Sequence, residues 1–380
     1  MTRKRRRVRI VAICGLAGMA AVLLVGQFWL MSALSWTHRE PPADSLIGIN
    51  FSCDQAEYLL LETPGGPFVP DDRPGRAKWC GDVLARIIDA TGARSVRFSV
   101  QWDEVEPSQG AYDYSLTDEL LRVAADHGAS VMVGIGIKAQ RHPEFYIPDW
   151  ALVGTDLRQG DVISEDLVLR ARALEMVKNV TLHFAANATV DSWSAENEPY
   201  IASHRSDHYS LSRDYVAEVV AVIRANDPAG RPIAINHAQH FVMDRRWRDA
   251  LADGDVLAQS MYPRRNIDLL GVEAVANIME LGPLMPNYAH QARQARASGK
   301  QFWVTELQAE PWTDEDSRLL SPTNPSANLA PRQLTENIIY ARKTGAGRIY
   351  LWGAEWWLYQ AEQFGDTRWL GAVSESIGEE

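Results

Sequence analysis

From Ile47 onward, short runs of β-branched and aromatic residues bounded by turn residues alternate with longer stretches of helical apolar spacing. The short runs are Ile47–Ser52, Arg94–Trp102, Ser130–Gly136, Val190–Glu198, Pro232–His237, Val256–Tyr262, Gln301–Leu307 and Arg348–Trp357. The helical stretches include Cys80–Ala90, Leu116–Asp126, Leu167–Ala186, Tyr209–Ala225, Pro286–Ala297 and Arg332–Lys343. Helix-stop signals precede several strands, among them Thr91-Gly92, His127-Gly128, Pro228-Ala229-Gly230, Ser298-Gly299 and Thr344-Gly345. Eight strands, each followed by a helix, predict the α/β class and a (β/α)8 TIM barrel over residues 46–380. Ile47 to Trp357 is longer than the ~250 residues typical of this fold, so two or three long loops are expected after strands. No second domain and no Pro-, Gly- or Ser-rich linker interrupts the pattern, apart from a short tether at 35–45.

The N-terminus follows another rule. A basic segment, residues 1–9, holds Arg3, Lys4, Arg5, Arg6, Arg7 and Arg9, and an almost uninterrupted apolar run from Ile10 to Leu34 follows it. About 20 such residues span a bilayer as a helix, and the basic cluster marks the cytoplasmic side. The expectation is a transmembrane signal anchor over 10–34; a signal peptide cleaved near Ala33-Leu34-Ser35 is the alternative. Both export everything after about residue 36, giving a membrane-anchored extracytoplasmic protein or a secreted one. The Arg/Ala/Asp-rich composition reads as bacterial, and a monomer is expected.

The formal charge is −11, yet residues 1–40 hold seven of the 38 basic residues and one of the 49 acidic ones, which leaves −17 on the remainder. No basic face follows the first forty residues, which argues against a nucleic-acid partner. Of three cysteines, Cys14 lies inside the apolar run, and Cys53 and Cys80 remain in the exported part. An oxidising compartment permits one disulfide between them; two buried thiols are the other reading.

In such barrels the chemistry lies at the C-terminal ends of the strands. The fourth strand ends Glu196-Asn197-Glu198-Pro199 and the seventh reads Val304-Thr305-Glu306-Leu307-Gln308. Hydrolysis of a glycosidic bond needs an acid at the leaving oxygen and a second carboxylate at the anomeric carbon, about 5–5.5 Å apart in retaining enzymes. Asn197-Glu198-Pro199 together with Val304-Thr305-Glu306 resembles the clan-A retaining glycoside hydrolases, which include cellulases, β-mannanases, xylanases and β-galactosidases, with the cellulase-like family five or a relative as the nearest type. The loop from Val105 to Asp113, Val-Glu-Pro-Ser-Gln-Gly-Ala-Tyr-Asp, adds to it. The resemblance implies that Glu198 is the acid/base and Glu306 the nucleophile. It implies further that Asn197 bonds the sugar 2-hydroxyl beside the nucleophile, Arg97 supports the ionised nucleophile, Tyr262 at the end of the sixth strand binds substrate, and Trp352 is a sugar platform. The sixth strand departs from the pattern: Ser260 stands where many cellulase-like members have histidine.

The physical roles stand without the family. Glu306 must be ionised to attack, and a nearby cation favours that; Glu198 must be protonated, and apolar surroundings with a neighbouring carboxylate favour that. Strand alternation puts Asn197 and Glu198 on opposite faces, so a bend or bulge is expected at the strand end. His142 after the third strand, and His237 and His240 after the fifth, are candidate sugar contacts. Glu196 and Glu310 compete for the carboxylate roles, and Glu355 is a further candidate sugar ligand. His204 and His208 lack a third well-placed metal ligand, and no phosphate-loop, dinucleotide or zinc-protease motif occurs. The reading is a retaining β-glycoside hydrolase acting on a carbohydrate substrate, with no cofactor and no metal. A non-catalytic carbohydrate-binding barrel, or a metal-dependent lyase or isomerase using Glu196 and Glu198, are the rivals.

Overall fold

The computed structural model describes residues 15, 18–27, 44–61, 72–203, 206–238, 244–269, 272–277, 286–312, 316–323 and 328–378. Eight parallel strands close a barrel: β1 (Leu46–Asn50), β2 (Ser95–Ser99), β3 (Ser130–Ile135), β4 (Val190–Ala195), β5 (Ile233–His237), β6 (Val256–Met261), β7 (Gln301–Gln308) and β8 (Arg348–Trp352). Neighbours in sequence are neighbours in the barrel, and β8 pairs with β1. Each of the eight expected strands is present.

The surrounding helices include α1 (Cys53–Leu60), α2 (Arg73–Thr91), α3 (Ser115–Asp126), α4 (Leu167–Phe184), α5 (Arg213–Asn226), α6 (Trp247–Asp253), α7 (Tyr288–Ala297), α8 (Pro331–Arg342), α9 (Ala354–Phe364) and α10 (Arg368–Gly378). Their ends follow local chemistry. Asp72 caps α2, its carboxylate accepting the Gly75 N–H at 2.7 Å, and Gly92 ends that helix in the left-handed conformation a glycine adopts without strain. Asp166 and Ser212 cap α4 and α5 in the same manner.

The outer core lies between strands and helices. Inside the barrel a smaller apolar plug, Met132, Ala234, Val256, Ala258, Trp303 and Tyr350, fills the lower half, so the interior is packed and not a pore. Trp303 belongs to this plug, whereas Trp193 packs in the outer core.

Three departures from the expected pattern matter. The eighth run does not continue as strand to Trp357: it stops at Trp352, and Gly353 turns the chain into α9, where Trp356 and Trp357 are buried. The second ends at Ser99, and Trp102 opens a short helix. The long loop after β6 contains an antiparallel pair, Arg264–Leu269 with Val272–Asn277. A disulfide joins Cys53, which opens α1, to Cys80 in α2, with Cα atoms 5.5 Å apart.

Among the described residues no helix is long and apolar enough to cross a membrane. Residues 18–27 are helical, with Met19, Val22, Leu23, Leu24 and Val25 all exposed; Gly15 apart, the rest of the expected anchor lies outside the described residues.

Candidate active site

Above the apolar plug the barrel interior turns polar. Asn50 (β1), Arg97 (β2), Asn236 (β5), Ser260 (β6) and Glu306 (β7) are all buried there. Arg97 is fully buried and organises the group: its Nη1 donates to Asn50 Oδ1 at 2.9 Å and to Glu306 Oε1 at 3.1 Å, and its Nη2 donates to Asn197 Oδ1 at 2.7 Å. Tyr262 donates from its hydroxyl to the other oxygen, Glu306 Oε2, at 2.6 Å. Each oxygen of Glu306 therefore has its own donor, which fixes the carboxylate and complements a negative charge. The same charge pushes the Tyr262 hydroxyl well above its ordinary pKa, after the larger effect of burial.

Glu306 reaches this position through a break in the strand. Between β6 and β7 the register runs Gln259 with Val304 and then Ser260 with Glu306, so Thr305 is an extra residue; the pairing with β8 shifts over the same stretch. A bulge of this kind re-aims the following side chain, and here it turns Glu306 into the barrel mouth.

The expected bend at the end of β4 takes another form. The strand stops at Ala195, and Glu196 and Glu198 adopt left-handed conformations, φ 59° and 43°. Such values are uncommon for non-glycine residues and frequent at functional sites. The turn sends three consecutive side chains in different directions. Asn197 points inward, its Oδ1 accepting from Arg97 and from Asn236 Nδ2 at 3.1 Å. Because the oxygen is taken, Nδ2 is the atom Asn197 presents to the mouth. The Glu198 N–H donates to Asn236 Oδ1 at 2.8 Å, and its carboxyl is raised to about 7 by burial first and by repulsion from Glu306 second.

Glu196 turns backward. It accepts from the N–H groups of Ile137 at 3.0 Å and Lys138 at 2.7 Å and from the Tyr215 hydroxyl at 2.9 Å. Gly136 makes room for it, since a side chain there would collide with the carboxylate. The two backbone contacts lock β4 to the loop after β3, the tyrosine contact ties it to α5, and none of the three reaches Glu306.

The remaining candidates divide. His237 is fully buried with its Nε2 3.1 Å from Asp244, and it is its strand neighbour Asn236 that reaches the Glu306 carboxylate and the Glu198 N–H. His142 is exposed on the loop after β3. His240 and His204 lie outside the described residues. Trp352 is buried, with the Arg141 guanidinium 4.1 Å above its ring, whereas Trp312 is 46% exposed and stacks on Tyr262 at 4.3 Å. Glu310 and Glu355 are both paired with Arg141. Three potential metal ligands meet, among the described residues, at Cys53, Glu57 and Cys80, where the two sulfurs are bonded to each other.

Asn50, Asn236 and Arg141 escaped the reading of the sequence, and Ser260 was noted there only as a departure from the family pattern. Asn50 and Asn236 carried a signal: each is a polar residue at the end of an otherwise apolar strand run. Arg141 carried none, since nothing local says which part of the rim a loop arginine will reach.

Residues 72–217 match the model of glycoside hydrolase family 42, described as beta-galactosidase. That stretch contains Arg97, Asn197 and Glu198 and ends before Glu306. No curated protein sequence matches the chain. Among solved structures, the chain is similar to the beta-galactosidase of the psychrophilic Marinomonas ef1, with a TM-score of 0.56 and 14% identity over 88% of this chain and 59% of that one. It is similar also to a family 5, subfamily 18 protein of Bifidobacterium longum subsp. longum, with a TM-score of 0.56 and 11% identity over 89% and 79%. The exo-beta-1,4-mannosidase Op5Man5 of Opitutaceae bacterium strain TAV5 has a TM-score of 0.50 and 18% identity over 80% and 51%. The chain thus spans under two thirds of the Marinomonas and Opitutaceae proteins. In its fold and its family match it resembles the clan-A glycoside hydrolases; the family model matched is 42, and family five, named from the sequence as one choice with its relatives, is not singled out.

Proposed function

We propose that this chain is a retaining β-glycoside hydrolase of the clan-A type, with Glu306 as nucleophile and Glu198 as acid/base. The observation that carries the reading is the opposite treatment of two neighbouring carboxylates: Glu306 is held by Arg97 and Tyr262, while burial and Glu306 itself keep Glu198 protonated toward neutral pH. Two neighbouring carboxyls in such different surroundings are what an acid and a nucleophile acting on one substrate require.

In the first step Glu306 attacks the anomeric carbon, and Glu198 transfers its proton to the departing glycosidic oxygen, leaving a glycosyl ester on Glu306. In the second, the now ionised Glu198 removes a proton from water, and the resulting hydroxide character at oxygen displaces Glu306 with net retention. Asn197 Nδ2 is placed for the sugar 2-hydroxyl, and exposed Trp312 for a sugar face. The protein works on the outer side of a membrane. The basic cluster at 3–9, the apolar run 10–34 and the exposed apolar residues of the 18–27 helix support an N-terminal anchor.

Release of reducing ends from β-glucans, mannans, xylans and galactans, and from aryl β-glycosides, by residues 41–380 tests the chemistry. Turnover by the wild type and none by Glu306→Ala is expected. Carbohydrate binding without cleavage by the wild type would overturn it.

A further inference from the structure

The loop after β3 makes contacts that the double displacement does not call for. It carries Arg141, with φ 74°, to the far part of the rim, where the guanidinium covers one face of Trp352. Arg141 Nη1 donates to Glu310 Oε1 at 2.7 Å and Nη2 to Glu355 Oε2 at 2.9 Å. Glu310 belongs to the loop after β7 and Glu355 to α9, after β8. Glu355 Oε1 in turn accepts the Ser52 N–H, just past β1, at 2.5 Å. Beside Arg141, Gln140 donates to the Phe51 carbonyl at 2.8 Å.

Around the barrel the strands follow the order β3, β2, β1, β8, β7. These contacts therefore join the ends of β3, β1, β8 and β7 into one continuous strap along that side of the mouth. The side chains of Arg141, Glu310 and Glu355 are only 10%, 9% and 1% exposed. A planar fork held by two buried carboxylates and a ring face is stiff, and lysine could not replace it. The strap is also not an anion receptor, because one positive charge faces two negative ones.

We propose that Arg141 is a specificity-determining residue: its strap closes the β1–β8 side of the mouth, so a β-linked chain cannot run out across it and only a chain end reaches Glu198 and Glu306. The inference rests on the glycosidase reading above. Its role is a wall beside the reacting atoms and not a contact with them.

The test compares wild type with Arg141→Ala on an aryl β-glycoside of the preferred sugar and on the matching hexasaccharide. Wild type should release monosaccharide alone from the hexasaccharide. In Arg141→Ala the ratio of hexasaccharide to aryl-glycoside kcat/KM should rise about tenfold or more, with internal fragments appearing. Removing the arginine strands two buried carboxylates, so Arg141→Gln combined with Glu310→Gln, which leaves one such carboxylate in place of two, is measured beside it with a melting curve. An unchanged ratio and product pattern in a folded variant, or internal fragments from the wild type, overturns the proposal while leaving the glycosidase reading intact. No hydrolysis of any aryl glycoside by the wild type overturns both.

Discussion

Two glutamates on one turn occupy different surroundings. Glu196 and Glu198 share a left-handed backbone, and burial lifts both carboxyls to about 7. Behind the turn, Glu196 has its two oxygens bound by two backbone N–H groups and a tyrosine hydroxyl. In front of it, Glu198 faces Glu306 with Ser260 beside it. A raised proton affinity therefore does not by itself identify an acid catalyst; what the carboxyl faces does.

The sharpest way to break the comparison is to remove what Glu198 faces. Glu306→Ala is expected to lower kcat by about 10⁴-fold or more, as loss of a covalent nucleophile does, with melting behaviour retained. Restored turnover with azide, giving an inverted glycosyl azide by product analysis, would confirm the nucleophile role; full activity without rescue would reject it.

Glu198→Gln should cost about 10²–10⁴-fold on substrates with poor leaving groups and much less on activated aryl glycosides, which need no protonation. The pH profile carries the same sign. The first step requires protonated Glu198, and its raised pKa keeps that form populated up to about 7, so kcat/KM should fall on the alkaline side of neutrality and not in the ordinary carboxylate range. Glu306→Gln removes the repulsion and should lower the Glu198 pKa, read by ¹³C NMR of labelled glutamate.

Two smaller effects belong to structure. Replacing Cys53 and Cys80 by alanine opens a bridge with a sequence separation of 27 and should cost about 3 kcal/mol in denaturant unfolding. Glu196→Gln puts an amide NH₂ against backbone N–H donors and should cost about 1–3 kcal/mol of stability. Its effect on kcat should be far below that of Glu198→Gln. Equal kinetic losses in the two would erase the distinction.

The strands were legible because each is a short apolar run closed by a turn residue, and burial on both faces demands that pattern. Glu198 and Glu306 stood out as polar side chains at the ends of such runs, whereas Arg97, Asn197 and Tyr262 came from the clan-A resemblance, and the structure brings these three to the Arg97–Glu306 cluster. His237 shows the limit: strand alternation hands the site to Asn236, one residue earlier, and both are polar in the sequence. Trp352 shows another, since one face of its ring is covered by an arginine 211 positions earlier in the chain.

The order of eight strands, their helices and the polar strand ends were fixed by local pattern, because hydrophobic periodicity and turn chemistry act within a few residues. The extra residue at Thr305, the reversed direction of Glu196 and the reach of Arg141 to Glu310 and Glu355 were decided only by tertiary structure. Each depends on which neighbour offers a hydrogen bond or a counter-charge once the barrel has closed, and that neighbour lies tens to hundreds of residues away.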